Sequence, residues 1–263
     1  MPSLPLSLQY SNFPFKPGAT ATATTTTTTT TPTHITESPH LQTLIQTLNL
    51  QPHIEGGYFV ETDRNALLIP NPFLTPQEQQ RQQQQQQRGA GEQVPPDAGS
   101  ESWRNASTTI FYLLTPQRPL GRFHRNKART VHTLHSGRGV YVVLHVNDDV
   151  VLQNNDDDER EGGDGGREKV RIESFVVGRD VAKGEKLQWI VEGGKYKASF
   201  LLDVGEGGGL GSTDCAECGG LLISETVVPG FDYRDHDFLE MARLEELVSS
   251  EEAKELEWLV RKE

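Results

Sequence analysis

The stretch Arg122-Phe-His-Arg-Asn-Lys-Ala-Arg-Thr-Val-His-Thr-Leu-His-Ser-Gly-Arg-Gly-Val-Tyr-Val-Val-Leu-His-Val146 decides the fold class. It holds short β-like runs, and Ser136 to Gly139 reads as a tight turn that feeds a further strand. His124, His132 and His135 fall on or beside these runs, and with His145 they make four of the chain's eight histidines. Imidazole is the side chain most often used for proton transfer and metal ligation near neutral pH, so this crowding is the first place to look for chemistry. A strand histidine is as often a satisfied structural residue, so crowding alone assigns no role.

Upstream, Thr108 to Leu114 is rich in β-branched and aromatic residues and is bounded by Pro116 and Pro119, the pattern of a buried strand. Gly56 and Gly57 open another strand through Tyr58 and Phe59 to Thr62. Adjacent glycines allow a positive φ or a close backbone approach. They mark a strand-entry bulge, or they place Glu55, Tyr58 and Glu61 around a pocket mouth. Ser38-Pro39 resembles an N-cap followed by a first-turn proline, and Leu41, Leu44, Ile45 and Leu48 recur at helical spacing, giving a short helix that ends near Asn49.

Downstream, Val150 to Leu152 and Val170 to Val177 flank an Asn/Asp/Glu/Gly tract and can form hairpin arms, because lengthening a surface loop costs little. Leu187 to Val191, Tyr196 to Leu202 and Leu221 to Val228 follow as strands separated by glycine turns. Phe238, Leu239, Ala242, Leu244 and Leu247 form one apolar helical face. Ser249 with Glu252 makes a capping box for a last helix carrying Leu256 and Leu259, and these helices are expected outside a sheet. Roughly eight or nine short strands with helices at the two ends predict an all-β antiparallel sandwich or barrel, whose interior can hold one small ligand.

Composition sets the domain plan. The 263 residues are 34% hydrophobic, with the apolar material concentrated away from several polar tracts. Residues 1–37 are Thr/Pro-rich and predicted to be a disordered tail, and residues 38–263 a single domain with low-complexity insertions at about 70–101, 153–168 and 205–219. The net charge of −12 argues against a nucleic-acid partner, which needs a positive surface. Two cysteines, Cys215 and Cys218, exclude a disulfide scaffold, and in a glycine-rich loop they are expected to be incidental. No apolar run is long enough for a membrane helix and no secretory signal is evident, so cytosol, with or without the nucleus, is the expected compartment.

Several motifs together resemble a known family. Glu55-Gly-Gly-Tyr-Phe-Val-Glu-Thr62, Thr109-Ile-Phe-Tyr-Leu-Leu114, Phe123-His-Arg125 and Val228-Pro-Gly-Phe-Asp232, in this order, resemble the cupin-superfamily group known as domain of unknown function 985. The resemblance covers roughly Leu41 to Leu259 once the insertions are removed. The Gln-rich insert and Phe123-His-Arg-Asn-Lys127 with Val131-His-Thr-Leu-His135 look like its fungal branch. It implies a double-stranded β-helix, the cupin jelly-roll barrel of RmlC-like shape, commonly paired as a homodimer. Metal-using cupins show His-x-His, a nearby Glu and a later His. Laid on this chain, the first His is His124, while Asn126, Thr130 and Lys197 stand at the other three positions. Lys197 would repel a divalent cation if charged, and His132 and His135, three apart on a strand, face opposite sides. The expected cofactor and metal sets are therefore empty.

Two functions fit the residues. The first expectation is a binding module for a small polar metabolite, sugar-nucleotide-like or carboxylate, contacted by Glu55, Phe123, Arg125, Arg129, His135 and Glu225, and by Gln188 or Trp189, of which only one can face inward. Arg122, Arg125, Lys127 and Arg129 are the cations that would attract such an anion. The alternative is a metal-independent isomerase or epimerase acting next to a carbonyl. His124 is its base, Tyr58 or Lys197 its donor, and Glu61 the carboxylate that orients the base. An inward His124 with a carboxylate in reach favours the enzyme.

Overall fold

The computed structural model describes residues 37–78, 80, 84, 101–146, 169–202 and 219–262. Helix α1 (Pro39–Thr47) is followed by strands β1 (Gln51–Pro52), β2 (Tyr58–Arg64), β3 (Leu68–Pro70), β4 (Trp103–Asn105), β5 (Thr108–Leu114), β6 (Leu120–Asn126), β7 (Arg129–Ser136) and β8 (Gly139–His145). Then come β9 (Arg171–Val177), β10 (Gln188–Val191), β11 (Tyr196–Leu201), β12 (Leu221–Val228), β13 (His236–Phe238) and helices α2 (Met241–Leu247) and α3 (Ser250–Leu256). Among the described residues, one large sheet has the order β1-β2-β5-β12-β7-β10, a second β13-β6-β11-β8-β9, and β3 and β4 form a small two-stranded sheet. All pairs of these strands are antiparallel. Neighbours in space are mostly distant in sequence, the wiring of a jelly roll.

Three apolar layers hold the sheets. Helix α1 seals the outer face of the first sheet through Leu41, packed with Leu113, Tyr58, Val60, Phe111 and Leu222. Helices α2 and α3 seal the outer face of the second, with Leu244, Leu247 and Leu256 against Phe123, Val142, Leu144, Ala198 and Phe200. Between the sheets lie Tyr112, Leu114, Leu134, Tyr141, Val143, Val177, Trp189, Val191, Leu221 and Ile223. Strand β8 is buried at every position because both its faces are covered, which is why it reads as an unbroken apolar run. Strand β12 instead alternates, and its inward set is Leu221, Ile223, Glu225 and Val227. Each large side chain buried this way contributes about 1.5–3 kcal/mol.

The caps form as the sequence predicts. Ser38 accepts from the Leu41 amide, with Pro39 in the first turn. Ser249 and Glu252 make a reciprocal capping box. Two details differ. Phe238 is not helical: it ends β13, opposite His124, so the last helices start at Met241 and Ala242 is exposed. Pro70 does not begin an unpaired insertion, because Leu68–Pro70 pairs with Trp103–Asn105 and ordered sequence resumes before Ser107. Residues 1–36 of the Thr/Pro-rich tail, Val150 to Leu152, Cys215, Cys218 and the insertions at 153–168 and 205–218 lie outside the described residues, whereas Glu37, placed in the tail by composition, accepts from Thr115 and Tyr58.

The glycine pair has a clear mechanical reason. Gly56 has φ +115°, and a Cβ there would sit 1.9 Å from the Leu120 carbonyl oxygen. The close approach lets the Glu55 carbonyl accept from the Arg122 amide at 2.7 Å, tying the loop before β2 onto β6. Gly56→Ala combines backbone strain with a clash, and we expect it to cost about 3 kcal/mol in urea denaturation. A loss under about 0.5 kcal/mol, the size of an ordinary surface substitution, would contradict this placement.

Candidate functional site

Strand parity places a set of titratable side chains between the sheets. On β12 Glu225 follows Ile223 inward, and its register partner on β7 is His132. On β11 Lys197 lies opposite Val143 of β8 and His124 of β6, so these side chains share the inner face. Glu55 enters from the loop before β2, and His236 from β13. Glu55, His124, His132, Lys197 and Glu225 are all buried.

They form two groups. In the first, Glu55 Oε1 accepts from His236 Nε2 at 2.9 Å, while Oε2 lies 3.3 Å from His124 Nε2 and 3.4 Å from His53 Nδ1. His124 Nδ1 is 2.7 Å from the Arg122 carbonyl, which can only accept, so Nδ1 carries the proton. Burial, reinforced by Lys197 and opposed by Glu55, pulls the His124 imidazole down to about 4. His124 is thus neutral near pH 7, with an unprotonated Nε2 turned toward Glu55. Burial alone would raise the Glu55 carboxyl, but His124, a hydrogen bond from His236 and the neighbouring His53 outweigh it and hold it well below the usual range. Glu55 Oε2 and His124 Nε2 face one another across 3.3 Å, so a proton taken up at Nε2 is held by the carboxylate.

In the second group Lys197 Nζ donates to Glu225 Oε2 at 2.5 Å and to His132 Nε2 at 2.9 Å. Tyr141 donates to Glu225 Oε1 at 3.5 Å. Burial opposes ionisation of Glu225, yet Lys197 and His132 outweigh it and hold the carboxyl far below its ordinary value. His132 is lowered by burial and by Lys197, and its ring stacks on Trp189 at 5.0 Å. Side chains of Glu55 and Glu225 keep 10% and 9% exposure although they point inward, so water-sized space reaches both.

Other expected contacts lie elsewhere. Tyr58 is on the outer face, bonded to Glu37 and beneath Arg118, because its register partner is Leu113 rather than an inward residue. Glu61 is held by Arg64 at 2.6 Å on the surface, and Glu55 takes the place beside His124. Phe123 is sealed under the C-terminal helices. Arg125 pairs with Asp237 and stacks over Tyr196, Arg129 pairs with Glu192, Lys127 with Asp235, and Arg122 donates to the Trp258 carbonyl. Three of these four cations are therefore paired with the protein's own carboxylates, and the fourth, Arg122, is tied to a backbone carbonyl. His135 is exposed beside Phe111. Trp189 faces inward and Gln188 outward, bonded to Thr133. His53, Tyr112, Tyr141 and His236 were missed by the sequence reading.

A cavity of about 230 Å³ opens at the far flank between β9 and β10, over Val143, Phe175 and Trp189. It does not include His124 or Glu55. Its rim charges are matched, Lys186 bonding Glu173 at 3.1 Å, with Glu173 also accepting from His145 at 3.0 Å. The interior groups, whose ionisation is strongly perturbed, are the better candidate for chemistry.

Comparison with known proteins agrees with this architecture. Residues 42–239 match the Cupin superfamily (DUF985). Uncharacterized protein YML079W of Saccharomyces cerevisiae is 39% identical over 220 residues, 83% of this chain and 85% of the yeast protein. A hypothetical protein from Leishmania major has the same fold, with TM-score 0.55 and 24% identity over 84% of this chain and 98% of its own. Protein SO0799 from Shewanella oneidensis has TM-score 0.53 and 17% identity over 87% and 100%.

Many cupins hold a metal, and the donor set tests whether this one fits. His124 points inward, but Asn126 and Thr130 offer no imidazole or carboxylate, and at the last position an ammonium is bonded to Glu225. Among the described residues no group of three His, Cys, Asp or Glu side chains is arranged to hold a metal ion. The residues do not fit the usual metal. By its matched residues and its yeast relative, the chain belongs to the DUF985 group of the cupin superfamily.

Proposed function

We propose that the barrel interior binds a small polar metabolite with a carbonyl beside a carbon-bound hydrogen, and moves a proton on it without a metal. The observation that carries this reading is the setting of buried His124, whose Nδ1 donates to the Arg122 carbonyl and whose Nε2 faces Glu55 at 3.3 Å, with Lys197 opposite on the neighbouring strand. Proton abstraction next to a carbonyl needs a base and a donor for the oxygen where charge develops. His124 is the base, Glu55 stabilises its protonated form, and Lys197 is the donor.

The test is hydrogen exchange in deuterium oxide with dihydroxyacetone, glycolaldehyde and pyruvate, followed by proton NMR. Loss of the signal next to the carbonyl is expected with the native protein, and His124→Gln is expected to slow it by about 100-fold, the range of general-base effects. Equal exchange in both proteins would remove His124 from the chemistry. Retained binding with no exchange in either would support the second reading, a binding module, which is favoured by the hydrogen bonds that already satisfy Lys197.

A further inference from the structure

The two partners of Lys197 are unlike, and this gives the lysine a second chemical option. Lys197 Nζ donates to an ionised carboxylate, Glu225, and to a neutral imidazole, His132, whose Nε2 also lies 3.4 Å from Glu225. The three groups share one proton beyond a neutral amine, a neutral imidazole and a carboxylate. Lys197 Nζ and His132 Nε2 are 2.9 Å apart, so a proton can pass directly from one to the other. In both places the cation stays within 3.4 Å of Glu225, so its transfer creates no new net charge in the barrel.

We infer that Lys197 is a nucleophile that forms an imine with small α-hydroxy aldehydes, ketones or 2-oxo acids, with His132 as its proton acceptor. This rests on the proposed proton-transfer function and names its electrophile. His132 takes a proton from the ammonium, and the free amine attacks the carbonyl carbon. The carbon–oxygen π bond opens and the oxygen gains the proton released by nitrogen, giving a carbinolamine. Protonated His132 then returns its proton to the hydroxyl, which leaves as water, and the carbon–nitrogen double bond closes as an iminium. The triad ends with the charge it began with, one cation beside one carboxylate. The iminium withdraws electrons from the adjacent carbon more strongly than a ketone does, which replaces the activation a metal gives elsewhere. His124 is the cross-strand partner of Lys197 on the same face, where side chains stand about 5 Å apart, so it can take the hydrogen from that carbon.

The experiment is reductive trapping. The native protein is mixed with dihydroxyacetone, glycolaldehyde or pyruvate and sodium cyanoborohydride at neutral pH, and lysine modification is mapped by peptide mass spectrometry. Exposed Lys183, with 78% side-chain exposure, is the internal reference. We expect Lys197 to be modified at least about tenfold faster than Lys183 with one or more probes, and His132→Gln to remove about that advantage. Lys197 modified no faster than Lys183 with all three probes would overturn the inference. If deuterium exchange persists in that case, the imine alone falls and Lys197 acts only as a hydrogen-bond donor. If exchange is absent as well, the proposed function falls with it.

Discussion

Glu225→Gln is expected to destabilise the protein by about 3–5 kcal/mol, the cost of leaving one member of a buried ion pair without its counter-charge. Lys197 is 2% exposed, its ammonium is bonded to Glu225, and its other partner His132 is neutral. Removing the carboxylate charge leaves the ammonium with no compensating anion at bonding distance among its described contacts. Adding Lys197→Met in the same protein should recover most of the loss, because an apolar pair of similar volume does not need the ion pair's desolvation to be offset. Urea denaturation of the two single variants and the double variant measures the coupling. A single-variant cost below about 1 kcal/mol, the size of a surface pair, would mean that water reaches Lys197 freely.

The second large effect is loss of stability on mild acidification. The His124 imidazole lies at about 4 in the folded protein, against about 6.5 in an unfolded chain. A depressed histidine favours its neutral form on folding. Its contribution is complete above pH 6.5 and is lost as pH falls toward 4, because the unfolded chain takes up the proton first. The full effect is about 3 kcal/mol, with about 2 kcal/mol gone by pH 5. His132 is depressed in the same direction and steepens the slope. The Glu55 and Glu225 carboxyls are also depressed, so their contribution is complete above about pH 4.3 and is lost on further acidification. Urea midpoints between pH 8 and 5 should therefore fall well before carboxylates titrate, and His124→Gln should flatten part of that fall. A level profile down to pH 5 would contradict a neutral, buried His124.

The sequence made the barrel legible because its strands alternate or run apolar according to which faces are covered. Thr108 to Leu114 and Leu221 to Val228 coincide with β5 and β12 because each is bounded by turn residues and packed on a sealed layer. The site was half legible. Glu55, His124, Lys197, Trp189 and Glu225 are inside, but Phe123 and Arg125 flank His124 on a regular strand and must point away from it. The same parity sends Gln188 out when Trp189 points in, and Arg129 and His135 out when His132 points in. Applying the pleat rule to His124 and His132 would have removed these residues from the site. Tyr112 and Tyr141 follow from parity once β12 and β8 are aligned. His53 and His236 do not, because a loop and the short strand β13 deliver them from positions 183 residues apart, and no local pattern records that meeting.

The central claim is that His124 is a neutral base held in the Nδ1-protonated form inside the barrel. Nitrogen-15 NMR of the histidine-labelled folded protein, titrated from pH 8 to 4 and assigned with His124→Gln, tests it most directly. The account predicts a His124 Nε2 that is unprotonated at pH 7 and takes up its proton near pH 4. A His124 already protonated on both nitrogens at pH 7, or titrating at the ordinary value of about 6.5, would contradict it.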